Sequence, residues 1–334
     1  MIRRAKGQAT IKSMTKTMGK AFYTLHLADC FTWMEARPAN SIHAIVTDPP
    51  YGLKEYTSIE KEKLRNGRGG VWRIPPSFDG CKRSPLPRFT VLTEGDRDRL
   101  REFFSRFAQL AFHVLVPGGH VFIATNPLLS HLFYLPLIEA GFAKRGEIIR
   151  LVQTLRGGDR PKNAHREFSE VTVMPRSCWE PWGLFRKPCE GRVQDNLRKW
   201  KTGALRRPSL DIPFSDVIRS APTRSEERCI APHPSLKPQA FMRQVVRAAL
   251  PLGFGVVLDP FMGAGATNAA VVFLGYESIG IELDPVYFQM ADWAIPELAL
   301  LPTNGAPLTH VRWQLPLLAD LAEGPRTYPP QESY

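Results

Sequence analysis

Cysteine is scarce in this chain of 334 residues, and the five present (Cys30, Cys81, Cys178, Cys189 and Cys229) include no C-x-x-C pair. An odd, scattered set offers neither a disulfide framework nor a zinc site, so no metal is expected. Reduced thiols in a cytoplasmic protein fit this usage. No apolar run approaches the ~20 residues that a membrane-crossing helix needs. The first twenty residues are basic but lack a continuous apolar stretch, which excludes a secretory leader and suggests a frayed basic tail over 1–20. Internal repeats and long low-complexity tracts are also absent.

Acidic residues are outnumbered, 32 against 44 Lys and Arg, leaving a net charge of +12. Such an excess favours a polyanionic partner through phosphate contacts and counterion release. It is uneven along the chain. It gathers in the N-terminal tail, in 54–88 and in 144–207, whereas 251–302 is apolar and weakly acidic.

Hydrophobic patterning alternates between strand and helix. Residues 22–52 read as strand (YTLHLAD), helix (CFTWMEARPAN) and strand (SIHAIVTDPPYG), with the run 42–46 apolar and β-branched, as in a strand buried on both faces. Residues 53–95 lose periodicity and form a long basic insertion. A helix is expected over 96–116, where Leu100, Phe103, Phe104, Phe107, Leu110, Ala111 and Val114 follow helical spacing until Pro117-Gly118-Gly119 stops it. Strands are expected at 120–125, 148–153, 171–174 and 182–185, with a helix over 127–140. After a polar, basic segment over 188–231, helix (238–250), strand (256–258), helix (264–274), strand (278–283) and helix (285–295) resume. Alternating βαβ units imply a doubly wound, mostly parallel α/β sheet.

Two motifs sit where such sheets bind ligands, just past the carboxyl ends of strands. The first is Asp48-Pro49-Pro50-Tyr51. An exocyclic base amine is a poor nucleophile because its lone pair is delocalised into the ring. The Asp48 carboxylate and the Pro49 carbonyl can accept its two hydrogens and draw the nitrogen toward tetrahedral geometry. The prolines stiffen the backbone, and Tyr51 offers a face for an extruded base. A plain Pro-rich turn with Tyr51 as packing is the competing reading of these four residues alone. The second motif runs from Asp259 to Thr267 (DPFMGAGAT), opening a helix whose N-terminus favours a negative group. Glu282, at the end of the next strand, is placed for ribose hydroxyls. Binding of a nicotinamide dinucleotide competes here, but Asn268 replaces the third glycine of G-x-G-x-x-G, and no hydride-transfer constellation accompanies it.

Phe261-x-Gly263-x-Gly265 resembles the F-x-G-x-G cofactor motif, and Asp48 to Tyr51 the D-P-P-Y catalytic motif, of amino-group DNA methyltransferases. The catalytic motif comes first and the cofactor motif last, an order that resembles the permuted β class, adenine-N6 type. Residues 27–30 (LADC) look like that family's G-D-C segment, with Ala28 for the usual Gly. Residues 233–238 (HPSLKP) are similar to its H-P-T-x-K-P segment, with Ser235-Leu236 departing from the commoner pair. The resemblance covers roughly 22–297. It implies a circularly permuted, Rossmann-like, S-adenosyl-L-methionine-dependent fold with inserted DNA-recognition segments. It divides the chain into a catalytic half (21–187), a target-recognition region (188–231), a cofactor-binding half (232–300) and an extension (301–334). Asp48, Pro49, Pro50 and Tyr51 would be catalytic. Asp29, Cys30, Asp48, His233, Ser235, Lys237, Asp259, Pro260, Phe261, Gly263, Gly265, Thr267, Glu282 and Leu283 would hold S-adenosyl-L-methionine.

The implied reaction is direct in-line methyl transfer to N6 of a flipped adenine in double-stranded DNA. Two basic segments mix Arg and Lys with aromatics and are candidate DNA contacts: Lys54, Arg65, Arg68, Trp72, Arg73, Lys82 and Arg83 in one, and Arg198, Lys199, Lys201, Arg206 and Arg207 in the other. Solvated loops with Trp72 and Trp200 packed on the core are the blander reading. A homodimer, and either a cognate restriction endonuclease or none, are compatible with the resemblance, as is association with the nucleoid. Cytosine-N4 methylation would use nearly the same residues. Methylation of RNA or of protein glutamine usually goes with N-P-P-Y placed after the cofactor motif. A non-catalytic DNA-binding module would need neither motif.

Overall fold

The computed structural model describes residues 12–19, 21–50, 92–152, 160–161 and 163–303. Tyr51 and the expected basic insertion up to residue 91 lie outside them, and with it Lys54, Arg65, Arg68, Trp72, Arg73, Lys82 and Arg83.

Among the described residues, nine strands form one sheet in the order β1-β2-β9-β8-β3-β4-β6-β5-β7. These are β1 (Lys12–Met18), β2 (Ala21–Leu27), β3 (Ile42–Thr47), β4 (Leu115–Ala124), β5 (Ala143–Leu151), β6 (Trp179–Arg186), β7 (Val217–Arg219), β8 (Val256–Asp259) and β9 (Glu277–Glu282). The centre, β2-β9-β8-β3-β4, is wholly parallel. β1 is antiparallel to β2, and β6 runs antiparallel between β4 and β5. Helices α1 (Cys30–Glu35), α2 (Glu94–Val114), α3 (Ser130–Glu139), α4 (Val193–Trp200), α5 (Ser225–Ile230), α6 (Gln239–Ala249), α7 (Ala266–Phe273) and α8 (Pro285–Leu300) complete the described chain.

Side-chain alternation along the central strands explains the two layers of helix. Ile45, Val121 and Ile123 point into a core shared with α1, α2 and α3. Ala44, Val46, Phe122 and Ala124 point the other way, toward Phe241, Val245 and Val246 of α6 and Ala270 and Val271 of α7. A third cluster joins Tyr23 and Leu25 of β2 to Phe288, Ala291 and Ile295 of α8. A sheet covered on both faces suits the near-continuous apolar runs of β3 and β4.

Several elements depart from sequence expectation. Residues 12–18, read as frayed tail, form β1, since pairing with β2 satisfies their backbone groups at the sheet edge. Pro117-Gly118-Gly119 does not separate helix from strand. It lies inside β4 as a bulge: Ile42 pairs with Leu115, whereas Ala44 pairs with His120. Gly118 permits this with φ +79°. Residues 171–174 make no strand and lie largely exposed, and among the described residues no strand pairs with them. Helix α2 begins earlier, at Glu94, where Thr93 and Asp96 exchange capping hydrogen bonds. Helix α8 continues five residues past the expected end at 295. The segment 188–231 contains α4, β7 and α5, and β7 ties it into the sheet beside β5.

Phe104 is fully buried, its ring 3.9 Å from that of Phe133. Phe104→Ala should cost about 3–5 kcal/mol in urea unfolding, because the α2–α3 seam cannot collapse around the void. A loss under about 1 kcal/mol would show that this seam is not a packed core.

Candidate active site

The parallel strands β3 and β8 are neighbours, so their carboxyl ends open at the same edge of the sheet. Asp48 follows β3, and Asp259 ends β8. Thr47 Oγ1 donates to Asp259 Oδ1 at 2.7 Å, a buried bond that joins the two motifs directly. Phe261 N donates to the same oxygen at 3.2 Å, and Thr267 also bonds the carboxylate. Burial pushes the Asp259 carboxyl up to about 6; these hydrogen bonds oppose the rise, and the nearby charge of Asp48 adds to it. Asp259 therefore braces the glycine turn.

The turn needs its glycines. Gly263 and Gly265 have φ of +53° and +82°. A Cβ on Gly265 would come within 2.5 Å of Ile295 Cγ1, and one on Gly263 within 3.2 Å of the His233 ring. Gly263 N donates to Glu282 Oε2 at 2.8 Å, and Asp284 N donates to Glu282 Oε1 at 2.8 Å. Burial raises the Glu282 carboxyl against the pull of these amides. Glu282 lies beside the β2 end, where Ala28 N donates to its carbonyl at 3.0 Å and Asp29 caps α1 through Thr32 N at 2.9 Å. Cys30, next along, is a buried thiol whose pKa is pushed up by burial and then by the charge of Asp29. It is held neutral, which makes it a wall and not a nucleophile.

His233 links the halves. It packs against Gly263 on one side and feels the charges of Asp48 and Lys237 on the other, with the Tyr287 ring 4.4 Å away. Burial lowers its pKa, favouring the neutral ring. Lys237 Nζ donates to Asp48 Oδ2 at 2.6 Å and lies 3.6 Å from Glu180 Oε1. The carboxylate of Asp48, the glycine turn and Glu282 thus line one cleft.

Of the candidate residues, the structure gathers Asp29, Cys30, Asp48, Pro49, His233, Lys237, Asp259, Pro260, Phe261, Gly263, Gly265, Thr267 and Glu282 at this edge. Pro50, Ser235 and Leu283 are exposed at its rim. The five basic candidates of 188–231 lie elsewhere. Asn196 of α4 donates to Pro117 O at the start of β4, and Arg206 donates to the Tyr276 hydroxyl just before β9. Both points are at the opposite end of the strands from Asp48. There Arg198 pairs with Asp195 and Lys199 with Glu190, Lys201 bonds the Arg198 carbonyl, and Arg207 bonds Leu210 O. None of the five reaches Asp48. Sequence reading missed Glu180, which adjoins Lys237, and Arg150, which pairs with Glu180; strands β5 and β6 carry no motif that marks them.

This cleft fits S-adenosyl-L-methionine. The left-handed glycines leave room for close backbone approach, Glu282 and Asp29 stand at adjacent strand ends for hydroxyl groups, and the carboxylates suit a sulfonium. A DNA methylase family model, N6_N4_Mtase, matches residues 42–292. The chain belongs to that family, and it is a DNA methyltransferase with S-adenosyl-L-methionine as methyl donor. Among its relatives, the Type II methyltransferase M.HpaI of Haemophilus parainfluenzae is 38% identical over 256 residues, covering 75% of this chain and 67% of its own length. The Type II methyltransferase M.HindIII of Haemophilus influenzae is 25% identical over 280 residues, 76% and 88% of the two chains. The fold is similar to that of PvuII DNA methyltransferase (cytosine-N4-specific), with a TM-score of 0.52 at 13% identity over 85% of this chain and 88% of that one.

Two outcomes follow. Gly265→Val should abolish measurable binding of S-adenosyl-L-methionine by calorimetry, and retained affinity would place the donor elsewhere. The raised Asp259 carboxyl sets a pH dependence. Below its unfolded-state pKa both states carry the proton; as pH rises through about 6 the folded protein must ionise a buried group, and stability is lost. The stability advantage of wild type over Asp259→Asn should shrink by ~1–3 kcal/mol between about pH 4 and pH 7. A pH-independent difference would contradict the buried carboxyl.

Proposed function

We propose that this methyltransferase modifies N6 of adenine in double-stranded DNA, acting on a base flipped out of the duplex. The supporting observation is Asp48 at the end of β3, beside the glycine turn and held by Lys237. A carboxylate there accepts a hydrogen from the amine, and the Pro49 carbonyl is the second acceptor, so the nitrogen lone pair is freed toward the donor. S-adenosyl-L-methionine, when bound, supplies a methyl already activated by its sulfonium. The protein's part is alignment, and excluding water from the cleft. Flipping costs a few kcal/mol of stacking and pairing, recovered from contacts to the extruded base and the backbone.

DNA would approach the edge of the sheet that carries Asp48. Leu151 of β5 pairs with Trp179 of β6 at that edge. In the chain between these two strands, Arg160, Arg166 and Arg176 are exposed and interleaved with exposed Phe168 and Val173. Cations near an aromatic suit phosphate and base contacts. Asp48 in place of the Ser that cytosine enzymes tend to carry supports adenine. The relatives named as Type II methyltransferases support a role in restriction–modification. A homodimer and a cognate endonuclease are further parts of this reading.

The experiment is transfer of labelled methyl from S-adenosyl-L-methionine to duplex DNA, followed by nucleoside analysis. N6-methyladenine is expected, and label in N4-methylcytosine would overturn the adenine assignment. Asp48→Ala should bind the donor with near wild-type affinity yet lose at least ~10³-fold in kcat, the scale of removing a group that acts in the transition state. Transfer at near wild-type rate would remove Asp48 from the chemistry.

A further inference from the structure

Lys237 belongs to the segment expected to hold the donor, and the structure seats it against Asp48. Its ammonium is almost fully buried and donates to Asp48 Oδ2 at 2.6 Å, with Glu180 Oε1 at 3.6 Å. Glu180 is itself fixed. Trp182 Nε1 donates to its Oε1 at 2.8 Å, and Arg150 Nη1 donates to its Oε2 at 3.1 Å. Arg150 is in turn held by Ser220 Oγ at 3.0 Å and Ala221 O at 3.1 Å. A chain of alternating charge therefore runs from Asp48 across β6 to β5, away from the glycine turn. Buried ion chains of this kind stabilise little by themselves, because desolvation offsets their Coulomb gain. Their consequence is positional: they hold a cation at one point beside a carboxylate.

An acceptor and a donor side by side have a chemical complement. Adenine presents its amine next to an unprotonated ring nitrogen, N1, and cytosine presents the same amidine edge through N3. Guanine and thymine carry a carbonyl where this amine would be and a hydrogen on the ring nitrogen. An ammonium has three protons, of which one is given to Asp48 and a second faces Glu180. We propose that Lys237 reads the target base: fixed between Asp48 and Glu180, it donates to the ring nitrogen beside the amine that Asp48 accepts, so the two side chains recognise the amidine edge as one unit. This rests on Asp48 being the amine acceptor. It separates the roles of the two side chains, with Asp48 acting on the nitrogen that receives the methyl and Lys237 fixing the plane and rotation of the ring. It also accounts for a lysine placed between the carboxylates of Asp48 and Glu180.

The test uses the full chain and a duplex whose methylated adenine is replaced by 1-deazaadenine, which keeps the amine and loses N1. Wild type should fall ~10- to 100-fold in kcat/KM on the analogue, the scale of one charge-assisted hydrogen bond. Lys237→Met should be impaired to a similar degree on adenine but should discriminate adenine from the analogue by less than ~3-fold. Its affinity for S-adenosyl-L-methionine, measured by calorimetry, should stay within ~3-fold of wild type. Equal discrimination by the two proteins overturns the proposal, as does loss of donor affinity in a Lys237→Met protein with a native thermal transition. Should that variant not fold, Glu180→Gln takes its place: it frees the ammonium from its anchor and should reduce discrimination, and unchanged discrimination counts against Lys237 as a reader. If wild type places its methyl on cytosine, the adenine assignment fails by itself, and the same comparison with 3-deazacytosine decides the role of Lys237.

Discussion

A single buried hydrogen bond, from Thr47 to Asp259, joins segments 212 residues apart in the chain. It closes the ends of β3 and β8 against each other, so that the residue after Thr47 and the turn after Asp259 share one opening. The cleft depends on that adjacency. The register of the two strands makes it available: Ile45 pairs with Leu258, and their successors rise together to the edge. Burial makes it costly to lose, since an Asp259 carboxylate without its donors would be left unsatisfied in the core.

The electrostatics of the cleft follow from this arrangement. Asp48, Asp259 and Glu282 lie on adjacent strand ends, and burial raises the pKa of the last two. Like charges in a poorly solvated site repel unless something compensates. Backbone amides compensate Glu282, hydroxyls compensate Asp259, and Lys237 compensates Asp48. A cationic sulfonium suits such surroundings. His233 sits between the two halves with its pKa lowered by burial, which keeps a second positive charge out of the region where the donor would bind.

Sequence patterning was most informative where a strand is buried on both faces. The runs at 42–46 and 120–125 read as strands because their apolar side chains meet apolar neighbours on both faces. It failed where structure depends on a distant partner. Residues 12–18 are polar and basic, and they are a strand because β2 offers an edge. Residues 171–174 have strand-like side chains, and among the described residues no strand pairs with them. Pro117-Gly118-Gly119 reads as a stop, yet the sheet absorbs it as a bulge. In the basic segment 188–231, charge suggested one surface, whereas hydrogen bonds from Asn196 and Arg206 carry much of it to the far end of the strands.

Local sequence by itself determined the glycine turn, the carboxylate after β3, the acid ending β9 and the alternation that makes a doubly wound sheet, because each is governed by backbone freedom or side-chain period within a few residues. Only the tertiary structure decided which of these face one another, and that Lys237 meets Asp48 and Glu180. Those outcomes depend on strand order, and strand order is settled by packing two faces of a sheet at once, a constraint that no short stretch of chain contains.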